Sequence, residues 1–172
     1  LIFASFLIIG AIILRLLPHP PNFAPIAAIG LFSGCYLKRR WTFLIPLAAM
    51  LISDFFLGFY HFPIMVSVYL SFGLIALIGY YLRKRKGIST IVGSSLISSL
   101  LFFVATNLAV WGFSGMYSLT QAGLIKCFYL ALPFFRNTLA GDLFYITILF
   151  GTWELVNYLV KGRIRTAKGL TK

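Results

Sequence analysis

Several apolar runs in this chain continue for about 20 residues without the polar interruptions that a water-facing surface demands. That continuity limits the fold more than any other feature. A helix needs ~20 such residues to cross the hydrocarbon core of a bilayer. Because the runs are continuous and do not alternate, they argue against a β-barrel. Composition agrees. Over 172 residues the chain is 60% hydrophobic and only 10% charged, with a mean hydropathy of +0.97, whereas soluble domains carry about 25% charged residues. The expected class is a single-domain, all-α polytopic membrane protein.

Hydropathy and chain breakers place six spans, at about 1–17, 23–37, 41–60, 64–82, 88–113 and 138–160. The first opens at Leu1, without a methionine, and runs into a polar loop with no A-x-A-like cleavage site; it reads as a retained helix. The breaks are "PHPPN", the basic cluster Lys38–Arg40, "YHFP", the basic cluster Arg83–Lys86, and "SGMYSLTQ". The last apolar stretch is too long for one span. Pro133 and the pair Arg136–Asn137 divide it, which predicts a short interfacial or re-entrant helix over 121–135 before the sixth span. The tail over 161–172 is basic and expected to be solvated.

The formal net charge is +12. In a soluble protein that would suggest nucleic acid, but here the basic residues gather at loops and tail, as the positive-inside rule requires. With six spans, Lys38–Arg40, Arg83–Lys86 and the tail from Lys161 share one side. That side is expected to be cytoplasmic, with both termini inside and the protein in the cell (inner) membrane. Five or seven spans would scatter these clusters. Gly30 and Gly34 form a small-xxx-small pair suited to close helix packing, and Ser94, Ser95, Ser98 and Ser99 read the same way. No internal repeat is evident. Cys35 and Cys127 have no metal-ligand spacing and read as free thiols in apolar surroundings.

The costly polar residues fall at one depth. Arg15, Asp54, Tyr69, Asn107, Trp111, Arg136, Asn137 and Asp142 all lie near the outer ends of their predicted spans. A charge at a span's centre costs roughly 2.5–3.5 kcal/mol on insertion scales, so such groups face the bundle interior or water and pair. Arg15 and Arg136 against Asp54 and Asp142 give a balanced layer, flanked by tyrosine, tryptophan and asparagine. That is the composition of a small polar binding site; the alternative is a set of interhelical ion pairs that fix the bundle, but four ionisable groups at one depth are more than packing needs. Above the layer lies "RLLPHPPNFAP". Its prolines restrict φ and favour an extended cover, from which His19 and Asn22 reach toward a solute. His61 sits on the neighbouring outer loop. Two histidines without a third ligand make a poor metal site.

Enzyme signatures are lacking. "GFSG", Gly112 to Gly115, resembles the G-x-S-G of intramembrane serine proteases, yet no histidine follows Ser114 to act as base. There is no P-loop, no G-x-G-x-x-G in a strand–helix context and no H-E-x-x-H, so no cofactor is expected.

Four blocks, "RLLPHPPNFAPIAAIGLFSG", "SDFFLGFY", "VYLSFGLIALIG" and "ALPFFRNTLAGDLFY", look like a group of small membrane transport proteins without an assigned substrate. That group resembles the substrate-specific (S) components of energy-coupling factor (ECF) vitamin transporters. The resemblance covers most of the chain. It implies a six-helix bundle with an outward pocket, gated by the loops after helices one, three and five, that takes a vitamin or metal ion. It also implies a partner, a scaffold membrane protein with two ATPases. Solitary relatives without dedicated ATPases include cobalamin transporters with a cysteine cobalt ligand in the third-loop region; here His61 or Met65 would stand in its place. The A-x-x-x-A pattern used for scaffold contact is altered, since Ala4 is followed by Ile8. The expected function is uptake of a small vitamin-like molecule or ion. The rival is a structural or assembly subunit of a larger membrane complex.

Overall fold

The structure is a computed structural model. It describes residues 2–169, and side chains over 3–160. The described residues form six helices and no strand: α1 (Ile2–Leu16), α2 (Ile26–Tyr36), α3 (Arg39–Leu57), α4 (Phe62–Leu82), α5 (Ile88–Phe113) and α6 (Gln121–Gly169). The expected all-α class stands. Four helices, α3 to α6, are long and apolar enough to cross a membrane, whereas α1 and α2 are shorter. Large apolar side chains such as Phe6, Phe55, Phe56, Leu70 and Ile97 face outward. Water would not support so much exposed apolar surface, but lipid does.

Two expectations need correction. The second element is not a span-length helix over 23–37. It has 11 residues, about 17 Å at 1.5 Å per residue. Every residue from Ile26 to Cys35 is buried, because α2 is apolar all round and is packed by each of the other five helices. The last stretch is not divided either. Helix α6 runs through Pro133 and the Arg136–Asn137 pair for 49 residues. Proline at 133 removes one backbone donor, but Tyr129, whose carbonyl loses it, is exposed and carries no packing burden. The predicted tail over 161–172 continues α6 as far as Gly169, and its side chains and last three residues lie outside the described ones.

The closest packing is between α2 and α4. A Cβ on Gly34 would sit 2.3 Å from the Ala76 carbonyl oxygen, and one on Gly79 would sit 2.3 Å from that of Leu31. Backbone thus touches backbone, and the small-residue pair read from sequence is a packing device. Three further bonds lock α2 in place. Proline at 46 lies inside α3, so the carbonyl of Thr42, four residues earlier, has no helical donor. Ser33 Oγ of α2 donates to that carbonyl at 3.0 Å. Arg83, just past α4, donates Nε to the Gly34 carbonyl at 2.5 Å and Nη2 to that of Leu37, satisfying orphan groups at the α2 C-terminus. Ser33→Ala is expected to strand the Thr42 carbonyl and cost about 1–3 kcal/mol, read as a fall in melting temperature in detergent.

The helices alternate in direction. Contacts pair Ser67 of α4 with Ala105 of α5, Ser99 of α5 with Asp142 of α6, and Phe32 of α2 with Phe150 of α6. The basic clusters consequently meet at one end of the bundle: Arg83 caps α2, Lys86 lies 4.4 Å from the Tyr36 ring centroid, and Lys38 caps α3. An aromatic plug of Phe3, Phe32, Tyr36, Phe150 and Trp153 fills the bundle near that end.

Candidate functional site

At the opposite end the short α2 leaves room. The chain from Leu17 to Pro25 covers that end as irregular backbone, and four of its residues, Pro18, Pro20, Pro21 and Pro25, bring no N–H to satisfy. This suits a segment that must lie in or near a low-dielectric region. A turn shapes it. Phe23 N donates to the Pro20 carbonyl at 3.0 Å, Pro21 fills the second position, and Asn22 takes φ 65. Proline followed by a residue at positive φ is the type II pattern, and asparagine tolerates that conformation better than most residues. Asn137 of α6 pins the turn by donating Nδ2 to the Pro21 carbonyl at 3.1 Å.

Beneath this strap lies a cavity of about 540 Å³. Arg15, His19 and Asn22 come from α1 and the strap, Tyr60 from the α3–α4 loop, and Thr138 and Asp142 from α6. The apolar wall is mainly Ile26, Ala27, Met50, Val68, Phe72 and Phe102. Phe72 and Phe102 lie 5.1 Å apart between ring centroids. The volume falls within the ~300–1,000 Å³ usual for small-molecule sites.

Behind Arg15 stands a closed polar cluster. Its Nη1 lies 2.7 Å from Asp54 Oδ1 and also donates to Ser53 Oγ and to the Met50 carbonyl, the latter at 3.3 Å. Tyr69 donates its hydroxyl to Asp54 Oδ2 at 2.8 Å. Asp54 is 1% exposed, so it holds Arg15 without lining the cavity. Burial, reinforced by the Asp54 charge and opposed by Arg15, pushes the Tyr60 phenol up to about 12. Tyr60 therefore remains a neutral O–H at any physiological pH. His19 places Nδ1 2.9 Å from the Pro20 carbonyl oxygen and Nε2 3.2 Å from that of Arg15; each ring nitrogen that carries a hydrogen donates to the oxygen it faces. The ring thus lies between the strap and the end of α1.

A family model described only as a family of unknown function, DUF6580, matches residues 1–164. The chain belongs to DUF6580. Comparison with curated proteins gives no match, and neither does comparison with solved structures.

Of the residues singled out by sequence, Arg15, His19, Asn22 and Asp142 line the cavity of this DUF6580 protein, while Asp54, Tyr69 and Asn137 hold its wall and cover. The other four lie elsewhere. Arg136 is exposed and makes no ion pair with Asp142. Six residues on a helix place the two about 120° apart around the axis, so when Asp142 faces the bundle Arg136 cannot. Asp142 accepts instead from Ser99 Oγ of α5 at 2.6 Å. Asn107 folds back onto the Phe103 carbonyl at 2.7 Å, and its own carbonyl meets Cys127 Sγ at 3.5 Å. Trp111 donates to the Ser118 carbonyl at 3.0 Å and secures the α5–α6 loop. His61 is exposed at the start of α4, where its carbonyl begins the helix. Ser114 of "GFSG" ends α5 and accepts from Met116 N at 3.1 Å, a turn role.

Sequence reasoning missed Tyr60, Thr138, Ser99 and the two phenylalanines. Thr138 had a signal, since it precedes Asp142 by four residues and so shares its helix face. Ser99 was hidden within a run of serines that reads as packing, and Phe72 and Phe102 among 18 phenylalanines.

Proposed function

We propose that this DUF6580 protein is an integral membrane solute-binding protein that captures a small vitamin-like molecule or ion for uptake. The cavity under the proline strap carries this reading, because it joins charged, hydroxyl and amide groups to an apolar wall at the end of the bundle away from the basic clusters. By the positive-inside rule those clusters, and with them both chain termini, belong on the cytoplasmic side of the cell membrane, and the cavity then faces out. On this reading α1 and α2 complete a six-helix bundle of the ECF S-component type, with α2 spanning only together with the extended segments at its ends. A scaffold membrane protein with ATPases would supply the energy, as the sequence resemblance implies.

The test is ligand capture. The protein, purified in detergent, is expected to release a defined small molecule on denaturation, identified by mass spectrometry. Asp142→Asn is expected to reduce the captured amount at least about tenfold without loss of monodispersity. A preparation that carries no small molecule and restores no uptake in cells would remove the proposal. One observation favours a second reading. The Arg15–Asp54–Tyr69 cluster is closed and could serve solely to fix α1, α3 and α4, as in a structural subunit of a larger complex. That subunit would co-purify with a stoichiometric protein partner and no ligand.

A further inference from the structure

The cavity wall is unbalanced in charge. Arg15 is committed to Asp54 at 2.7 Å, and that pair is neutral. The histidine ring faces two backbone oxygens on the strap side and makes no ion pair with Asp142. Asp142 has no such partner: among the described residues the one ion pair is Arg15–Asp54. The residue is 3% exposed, its Oδ2 lies 2.6 Å from Ser99 Oγ, a hydroxyl shared with the Ser95 carbonyl at 3.0 Å, and no hydrogen-bond partner among the described residues is found on Oδ1. A buried carboxylate with a single hydroxyl donor is costly unless a counter-charge arrives. Around it the surface is apolar and aromatic, and the faces of phenylalanine rings attract cations.

We propose that the cavity selects a compact organic cation, a protonated amine or a charged heteroaromatic ring, with its positive group on Asp142 and its apolar body against Phe72 and Phe102. Thr138, one helical turn from Asp142 on the same face, offers a lone pair beside the cationic group; its hydroxyl hydrogen is already given to the Phe134 carbonyl at 3.0 Å. The strap then closes over the apolar end. This inference rests on the solute-binding reading and assigns the substrate class for it.

The experiment uses three probes of similar size and different charge: N-methylquinolinium, 1-naphthol and 1-naphthoate. Binding to the full chain in lipid nanodiscs is measured by calorimetry, with empty nanodiscs subtracted. The cation is expected to bind at least about tenfold more tightly than the neutral probe, and the anion most weakly. Asp142→Asn is expected to erase the cation's advantage while leaving 1-naphthol affinity within about twofold; Asp142→Glu is expected to restore part of it. Equal or better binding of the neutral probe or the anion by the wild type would overturn the charge assignment and leave the solute-binding reading standing. So would a cation preference that survives Asp142→Asn. Should the Asn variant fail to fold, the wild-type order of the three probes still decides. Failure of all three probes, together with no co-purifying molecule, would overturn both readings.

Discussion

Gly34→Ala is expected to prevent this protein from folding, although it adds a single methyl group. That methyl would meet the carbonyl oxygen of Ala76 at 2.3 Å and backbone atoms of Gly79 and Tyr80 at 2.7 Å. Backbone cannot swing aside as a side chain can. Helices α2 and α4 would have to separate by an ångström or more, and α2 lies at the centre of the bundle. Overpacking of a core costs typically ~1–3 kcal/mol where side chains can adjust; here the expected loss exceeds about 3 kcal/mol. Gly79→Ala should behave alike, since it meets Leu31 backbone at the same distance. The controls are internal. Gly30→Ala meets the Ile75 side chain at 3.4 Å and backbone of Ala76 and Phe72 at 3.7 and 3.8 Å, all ordinary contact distances, and is expected to be tolerated, while Gly73→Ala meets nothing within 4 Å. The latter should be neutral or slightly stabilising, because alanine is the better helix former by about 1 kcal/mol. Size-exclusion profiles and melting temperatures in detergent separate the two classes.

Asp54→Ala is the second large effect. It leaves Arg15 with a buried positive charge and Tyr69 with a hydroxyl that has lost its acceptor. Removing one partner of a buried pair costs ~3–5 kcal/mol, and the loss should fall on the contact between α1 and α3. The double variant Arg15→Met with Asp54→Leu is expected to recover most of that stability, since apolar replacement of a buried pair is often neutral. The double variant thus separates stability from function. If the cluster serves only to hold helices together, the recovered protein works; if Arg15 serves the cavity, solute capture stays lost while melting returns. High salt should change wild-type melting little, because buried pairs are poorly screened.

Much of this architecture could be read from the chain. Helix α5 spans the expected 88–113 because breakers bound it on both sides, "RKRKG" before and "SG" after, and no interior proline blurs the signal. The basic clusters meet at one end as expected, since they mark turns two helices apart. The length of α2 was not legible. "NFAPIAAIGLFSGCYL" is uniformly apolar, so hydropathy cannot tell a helix enclosed by protein from one bathed in lipid, and Pro25 fixes the true start. The unbroken course of α6 was also hidden. A proline and two polar residues look like a boundary, yet Tyr129, whose carbonyl Pro133 deprives, is an exposed residue, Arg136 is exposed as well, and Asn137 bonds the strap.

At the site, depth was legible and azimuth was not. Hydropathy puts Arg15, Asp54 and Asp142 at similar levels, and the structure does bring Arg15 to Asp54. It keeps Arg136 from Asp142, since six residues along one helix set the two about 120° apart; which of them faces the bundle depends on the rotation of that helix. That rotation is set by contacts such as Gly141 against Phe23, which no single segment encodes. The serines show the same limit. Ser98 and Ser99 both bond the carbonyl four residues back, at Ser94 and Ser95, yet only Ser99 is also turned to Asp142.

The enclosure of α2 bears on how the chain is made. Eleven residues are too few to partition into a bilayer as an independent unit. The ribosome delivers this segment before α3 to α6, which supply most of the walls that surround it. It must wait in an interfacial or channel-protected state until α3 to α6 are in place, and only then slot between them. Enclosure of α2 is therefore expected to come late in biogenesis, after α6 has been made.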